Sequence, residues 1–529
     1  MQADIRRDRI ALNAQAALRH ASLGQLTEAA ACYGTIITLA PDIPEAHNNL
    51  GHVLEKQGHL PEAAASLRTA IGLKPGFPQA HYNLANVLEK QGHLDAAVSH
   101  YRTVIALQPD QPEAHNNLGY ALGRLRSLDE AVVCLRWAIA LNPRYAGAYN
   151  NLGYTLGELG RPAEAAECYR TAIAIDPAFH EAHNNLGLVL NEQGRTDEAV
   201  GCYRRALAIK PDFPEAHFHL GMALLARGEM AEGWAQYEWR WATADGIEEA
   251  RHFAQPQWRG EDAAGRTVLI HAEQGFGDTL QFCRFASLVA ERGLRIVMEV
   301  QPPLLRLLRG LPGVHRIVAR GEELPDFDLH CPMLSLPPAL NVTLATLPSA
   351  ACYLQADQAQ AAAWRMRLDQ MKDARPRVGL VWAGALRASP ALEAIDRRRS
   401  LPPERLAPLL ELSGVHFTSL QKQGPDAPVC FPMTDFMPEM NDFADTAALI
   451  ANLDLVISVD TAVAHMAAAL GKPVWLLDRF DPCWRWLTGR TDSPWYPSLR
   501  IYRQRDPGDW DAVITEVARD LHSLGTNPR

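Results

Sequence analysis

The sequence predicts a repeat-built α-solenoid over its first half, followed by an α/β region made of two units. Three observations carry that reading. Prolines fall at Pro41, Pro75, Pro109, Pro143, Pro177 and Pro211, each 34 residues after the last (75 − 41, and so on to 211 − 177). From Arg266 the pattern switches to short apolar runs alternating with amphipathic segments, the signature of βαβ alternation and parallel sheets. A chain of 529 residues with 47% hydrophobic and 21% charged residues has the apolar content for several packed domains, which excludes a disordered or fibrous chain.

Charge narrows the partners. Acidic residues exceed basic ones, 61 against 51, for a formal net charge of -10. Nucleic acid, which needs concentrated Lys and Arg, is therefore not an expected partner. No stretch approaches the roughly 18 apolar residues of a spanning helix. The opening Met1-Gln2-Ala3-Asp4-Ile5-Arg6-Arg7 has charges but no apolar run behind them, so neither an export signal nor a transmembrane segment is expected. Nine thinly spread cysteines suit a reducing compartment. The expected location is a bacterial-type cytoplasm.

The repeat register carries more than proline. Glycine recurs at Gly51, Gly119, Gly153, Gly187 and Gly221, with Ala85 in the one gap. Alanine recurs at Ala63, Ala97, Ala131, Ala165 and Ala199. Small residues at these offsets let two antiparallel helices approach closely, and a period near 34 marks a helix–turn–helix repeat. Pro44, Pro78, Pro112 and Pro214 fall in the first turn of a helix, where the missing N–H costs nothing. Glu45, Glu113, Glu181 and Glu215 follow them, placing negative charge at the positive helix end. Cys134, Cys168 and Cys202 share the spacing; they read as small, semi-buried hydrophobes.

These residues closely resemble the tetratricopeptide repeat (TPR) family, with five clear repeats over 42–211, a degenerate one before and a partial one after. Asn49, Asn83, Asn117, Asn151 and Asn185 occupy one equivalent position, two residues before the glycine. In TPR arrays that helix lines the concave groove. A carboxamide donates and accepts at once, so such a ladder can hold a peptide backbone without reading its sequence. It resembles the asparagine-lined superhelix of the eukaryotic O-GlcNAc transferases. The alternative is that these asparagines bond to neighbouring repeats. His47, His81, His115, His183 and His217 are expected on the same face.

Around 234–262 the composition turns aromatic, with Trp234, Tyr237, Trp239, Trp241, Phe253 and Trp258. This reads as a cap that covers the end of the repeat stack, with ligand stacking as the alternative. Strands are then expected at 267–271, 294–300, 326–329, 377–382, 415–420, 454–459 and 473–477, and helices at 279–292 and 446–452. The predicted domains are 1–245 (solenoid), 246–263 (cap and linker), 264–370 (first α/β unit) and 376–529 (second α/β unit). Ligands in such units sit at the carboxyl ends of the strands.

The first strand runs into His271-Ala272-Glu273-Gln274-Gly275-Phe276-Gly277-Asp278. Gly275 and Gly277 permit close approach of a ligand to the backbone, and Asp278 stands at the entrance of the next helix. As a dinucleotide fingerprint the loop is weak, because position 280 is leucine. In the second unit, a buried run at 455–459 ends in Asp460-Thr461-Ala462-Val463-Ala464-His465. Thr461 would cap a helix whose free N–H groups suit a phosphate, and His465 lies one turn on.

This run resembles the nucleotide-sugar half of GT-B glycosyltransferases, in particular the heptosyltransferase-like (family 9-like) kind, whose segment reads Asp-Thr-Gly-x-x-His. Here Ala462 replaces that glycine. Val378-Gly379-Leu380-Val381-Trp382-Ala383-Gly384 resembles the strand and turn beneath the donor diphosphate. Arg399 and Ser400 match a basic phosphate contact, and Gln421 and Lys422 match the ribose or base contact. The resemblance covers about residues 264–520 and implies a GT-B fold, a nucleotide-sugar substrate, no metal or other cofactor, and inverting transfer. Asp278 would be the acceptor base; Gly384, Arg399, Ser400, Gln421, Lys422, Asp460, Thr461 and His465 would hold the donor. Asp326-Phe327-Asp328 spells a metal-dependent Asp-x-Asp, but within a predicted strand it reads as structural.

The expected function is transfer of a sugar to a hydroxyl, on a protein recruited along the TPR groove. The alternative keeps the fold without the chemistry, as a scaffold around a degenerate transferase domain. Assembly of a glycan on lipid would call for a membrane-facing basic or apolar surface, which the sequence lacks. Sugar, nucleotide, acceptor and oligomeric state are not legible.

Overall fold

The computed structural model describes residues 2–385, 396–422 and 433–526. They form two compact units, residues 1–190 with 205–211, and residues 191–204 with 212–529.

Helices pair along the repeat register: Gln2–Ser22 with Leu26–Leu39, Pro44–Lys56 with Leu60–Leu73, Pro78–Lys90 with Leu94–Leu107, Pro112–Arg124 with Leu128–Leu141, and Ala146–Glu158 with Pro162–Ile175; the helices His180–Glu192 and Thr196–Ile209 follow in the chain. The periodic small residues mark where the helices of a pair cross. A Cβ on Gly51 would meet Leu67 Cγ at 2.5 Å, and one on Gly119 would meet Leu135 Cγ at 2.6 Å. Ala63, Ala97, Ala131 and Ala165 opposite are fully buried. Pro44, Pro78, Pro112 and Pro214 each open a helix, as their missing N–H allows. First helices end on a left-handed residue: Gly58 (φ 82°), Gly92 (80°), Arg126 (64°) and Gly160 (71°). This is the usual helix-stop conformation, and Arg126 alone of these four adopts it with a side chain.

The histidines differ from expectation. His47, His81, His115 and His183 are buried instead of lining a groove. Each Nε2 donates to the carbonyl of the proline six residues earlier: Pro41 (2.9 Å), Pro75 (2.9 Å), Pro109 (2.8 Å) and Pro177 (3.2 Å). That carbonyl lies past the end of the preceding helix and lacks a helical partner, so the ring satisfies it.

The second unit holds two parallel sheets. The first has the order β3-β2-β1-β4, with β1 Thr267–His271, β2 Arg295–Val300, β3 Val314–Ala319 and β4 Leu329–Pro332. The second has the order β10-β9-β8-β5-β6-β7, with β5 Arg377–Val381, β6 His416–Ser419, β7 Thr434–Asp435, β8 Leu455–Val459, β9 Val474–Asp478 and β10 Leu499–Arg503. Both are Rossmann-like, the strand order reversing between β1 and β4 and between β5 and β8. Strands β3, β7 and β10 were not expected from the sequence; all three lie at or next to a sheet edge. Strand β4 starts three residues later than expected, because Asp328 turns its carboxylate onto the Thr267 N–H (2.8 Å) at the head of β1.

Helices Pro214–Ala226 and Met230–Tyr237 belong to this unit. Trp234 is buried and meets Phe282 and Trp484 edge-on, with centroids 5.9 and 5.1 Å apart. The aromatic segment thus enters the same core as the first sheet. No helix among the described residues is long and apolar enough to cross a membrane.

Candidate active site

In a parallel sheet the strand-order reversal leaves a crevice at the carboxyl ends. In the first sheet the chain leaves β1 at His271 and reaches the helix Phe276–Phe282; in the second it leaves β8 at Val459 and reaches the helix Ala462–Ala469. These two helices pack together. A Cβ on Gly277 would stand 2.9 Å from His465 Cδ2 and 3.7 Å from Ala462 Cα, so the second glycine of the loop serves contact between these two helices.

Asp278 stands at the third helical position, with Gly275 as the N-cap. Its Oδ2 accepts the Gly275 N–H at 3.0 Å, and its Oδ1 forms an ion pair with Arg485. Burial works against the charge on Arg485, but Asp278 beside it prevails and holds the guanidinium protonated. His465 is buried, its Nδ1 2.9 Å from the Tyr496 hydroxyl and its Nε2 3.8 Å from Asp460 Oδ1. Trp486 stacks on the ring at 5.0 Å. Burial pushes the imidazole down to about 4, against the pull of Asp460, so it is neutral near pH 7. Asp278, His465 and Asp460 therefore share one region, lined by Arg485 and Tyr496.

Arg399 bridges the donor-side residues. Its guanidinium donates to the Asp460 carbonyl (3.1 Å) and pairs with Asp396 (2.8 Å). Gly384 leaves room for it, since a Cβ there would meet Nη2 at 2.5 Å. The Ser400 hydroxyl accepts the Gly384 N–H at 3.2 Å and donates to the Asp396 carbonyl. Gln421 clamps the turn after β5, accepting from Trp382 and Ala383 N–H and donating to the Ala383 carbonyl. Its amide thus shapes the turn. Lys422 Nζ donates to the Met440 carbonyl. Thr461 occupies the N-cap position but makes no side-chain cap bond. Its hydroxyl lies 3.0 Å from Ser458 Oγ instead, which corrects the expected cap and leaves the first N–H groups of that helix uncapped by it.

The asparagines lie in the other unit and bond along the array. Asn83 donates to Asn48 (3.0 Å), Asn151 to Asn116 (3.0 Å) and Asn185 to Asn150 (3.1 Å), while Asn117 donates to Tyr82 and Asn86. Asn48 and Asn116 in turn donate to Asn49 and Asn117. The ladder therefore ties neighbouring repeats together. A cavity of about 180 Å³ opens beside Asn48, Asn49, Tyr82 and Asn83. Among the described residues, no group of three or more His, Cys, Asp or Glu side chains is arranged to hold a metal ion.

A helical-repeat array followed by a Rossmann-like α/β region is the class that this architecture defines. The N-terminal region matches TPR repeat profiles over 17–58, 56–92, 90–125 and 127–160, and again over 150–214 and 192–244. Residues 427–477 match Glycosyltransferase family 9 (heptosyltransferase). Protein FlbA of Caulobacter vibrioides is 29% identical over 327 residues, covering 56% of this chain and 53% of FlbA; the chain thus spans about half the length of that curated relative. Among solved structures, a tetratricopeptide repeat protein from Parabacteroides merdae is 16% identical, covering 46% of this chain and 97% of its own, with a TM-score of 0.41. A thermophilic TPR protein from Thermus thermophilus is 27% identical, covering 34% of this chain and 99% of its own, with a TM-score of 0.31. The chain carries TPR repeats followed by a glycosyltransferase-like region.

Proposed function

We propose that the α/β region transfers a sugar from a nucleotide-sugar donor to a hydroxyl, with inversion and without a metal. One observation carries the reading: Asp278 of the first sheet's loop and the Asp460–His465 run of the second meet through the Gly277–His465 contact. Asp278 takes the acceptor proton as the hydroxyl attacks the anomeric carbon. Arg399 and the uncapped N–H groups after Thr461 stabilise the departing diphosphate. Calorimetric titration of the full chain with UDP, GDP, ADP and CMP tests the donor site. Binding of one nucleotide, weakened in Arg399→Ala, is expected; binding of none sinks the reading.

A second reading has its own support. Both Asp278 oxygens are engaged by the chain itself, and His465 is bonded to Tyr496, as in a domain kept for its fold. A scaffold would bind partners with no donor turnover. Nucleotide binding followed by hydrolysis or transfer of the matching sugar separates the two.

The TPR array recruits a protein in either case, the acceptor under the first reading and a scaffold partner under the second. Asn83 and Asn151 keep donor and acceptor capacity beyond their bonds to Asn48 and Asn116. Changing Asn83, Asn117 and Asn151 together to alanine is expected to abolish partner capture while leaving nucleotide binding intact. The urea midpoint must be followed alongside, since these residues also link repeats. A folded triple variant that still captures its partners would remove the groove.

A further inference from the structure

We propose that the cavity between the 238–259 segment and the carboxyl edge of the first sheet is a binding site for an uncharged carbohydrate ring. The cavity measures about 650 Å³, within the range of small-molecule sites, roughly 300–1,000 Å³. It opens where the strand order reverses: His271 ends β1, and His330 and Pro332 lie on the adjacent β4. That reversal is where parallel sheets place their ligands.

The walls combine two features. Trp239 and Trp241 line the cavity; His217 stacks on one face of Trp239 (4.0 Å) and Arg240 lies over one face of Trp241 (4.6 Å), so the weakly positive C–H groups of a sugar ring would meet the opposite electron-rich face of either indole. His271 is 3% exposed and neither ring nitrogen has a partner. His330 Nδ1 and the Trp241 indole N–H are also buried and unpartnered. A neutral imidazole offers one donor and one acceptor, and leaving both unmet in a buried site is costly. A hydroxyl answers both, because it donates and accepts at once.

The charges inside the cavity are paired, Arg251 with Glu299 and Arg240 with Glu238 and Glu273, while Arg259 is an exposed lining residue, so the inner wall suits an uncharged guest. The frame is rigid. Trp258 N–H donates to the His330 carbonyl (2.7 Å), His330 N–H to Pro256 (3.1 Å), and Arg240 to Ser335 Oγ (2.8 Å). A preorganised pocket loses little freedom when it fills.

Saturation-transfer NMR on the full chain, with free glucose, galactose, N-acetylglucosamine, rhamnose, uridine and adenosine in turn and no nucleotide present, tests the site. At least one sugar is expected to bind with a Kd in the millimolar range, weakened at least about tenfold in both Trp241→Ala and His271→Ala. Ala242→Trp, at an exposed position on the rim, fills the cavity without touching the core and is expected to abolish binding even where the other variants fold poorly. Binding of no sugar, binding indifferent to Ala242→Trp, or a Trp241-dependent preference for uridine or adenosine over every sugar overturns the proposal. The experiment reads no turnover and no nucleotide, so its result is independent of whether the chain is a transferase.

Discussion

Gly277 lies against the imidazole edge of His465, so close that a Cβ on it would stand 2.9 Å from Cδ2. Gly275, two residues earlier, has ordinary backbone angles, and a Cβ there would meet only Asp278 Oδ2 at 3.6 Å. The two glycines look alike in the sequence and differ in the fold. Gly277→Ala is expected to cost about 1–3 kcal/mol, since a packed ring must move; Gly275→Ala should stay within about 0.5 kcal/mol. Urea unfolding of both variants checks this.

Arg485 and Asp278 form a mostly buried pair 207 residues apart in the chain. Removing either partner leaves the other's charge poorly solvated, so each single alanine variant should lose about 3 kcal/mol. The double variant should lose far less than the sum, with a coupling of about 2 kcal/mol in a double-mutant cycle. Under the transferase reading, Asp278→Asn should also lower kcat at least about 100-fold.

Acid sensitivity follows from three histidines, His271 and His465 buried and His219 half-buried. Burial pushes His219, His271 and His465 down from 6.5 to about 4, about 3 and about 4. Unfolded, each ring gains its proton near pH 6.5; folded, it gains it only at the lower value. The unfolded state therefore binds more protons in between, and stability falls as pH drops from 6.5 toward 4, by up to about 1.4 kcal/mol per pH unit for each ring. Asp478 works the other way. Burial raises it from 3.8 to about 6, so its folded form holds a proton that the unfolded form has lost across that window, which offsets about one ring. Urea midpoints at about pH 7 and pH 5 should show the net loss, and His465→Gln should flatten the slope.

The helix-stop positions give a backbone test. Gly92 has a φ of 80° with open space around its missing side chain, so Gly92→Ala should cost about 1 kcal/mol from strain alone. Arg126 holds the equivalent place at 64°. Arg126→Gly should be neutral to stabilising by about 1 kcal/mol, because its ion pair with Glu158 is exposed and contributes little. Thermal unfolding would show the two changes moving in opposite directions.

The repeat array was legible because its chemistry is periodic: Pro44 and its counterparts open helices, and Gly51 and Gly119 mark crossings, each at a fixed offset. The histidines carried a signal that went unread, since His47, His81, His115 and His183 each follow a repeat proline by six residues. In the α/β region β1 was legible from its apolar run, whereas β3 and β10 lie at sheet edges with exposed residues that break such runs. Asp278 and His465 stood out through their local motifs. Their partners Arg485 and Tyr496 did not, because contacts 207 and 31 residues apart in the chain leave no local pattern. Gln421 and Thr461 were found as residues, yet their bonds to Ala383 and Ser458 depend on how neighbouring strands line up.

The histidine-to-proline bond closes within seven consecutive residues, from Pro41 to His47, and again at His81, His115 and His183, whereas Tyr149 stands six residues after Pro143. A 34-residue block that carries the proline and its histidine therefore brings its own joint with it. A gene duplication could lengthen the array, and a deletion could shorten it, by whole repeats without new turns having to be invented. Reach along the array is thus a trait that this chain's relatives can change quickly, while the transferase-like region downstream stays as it is.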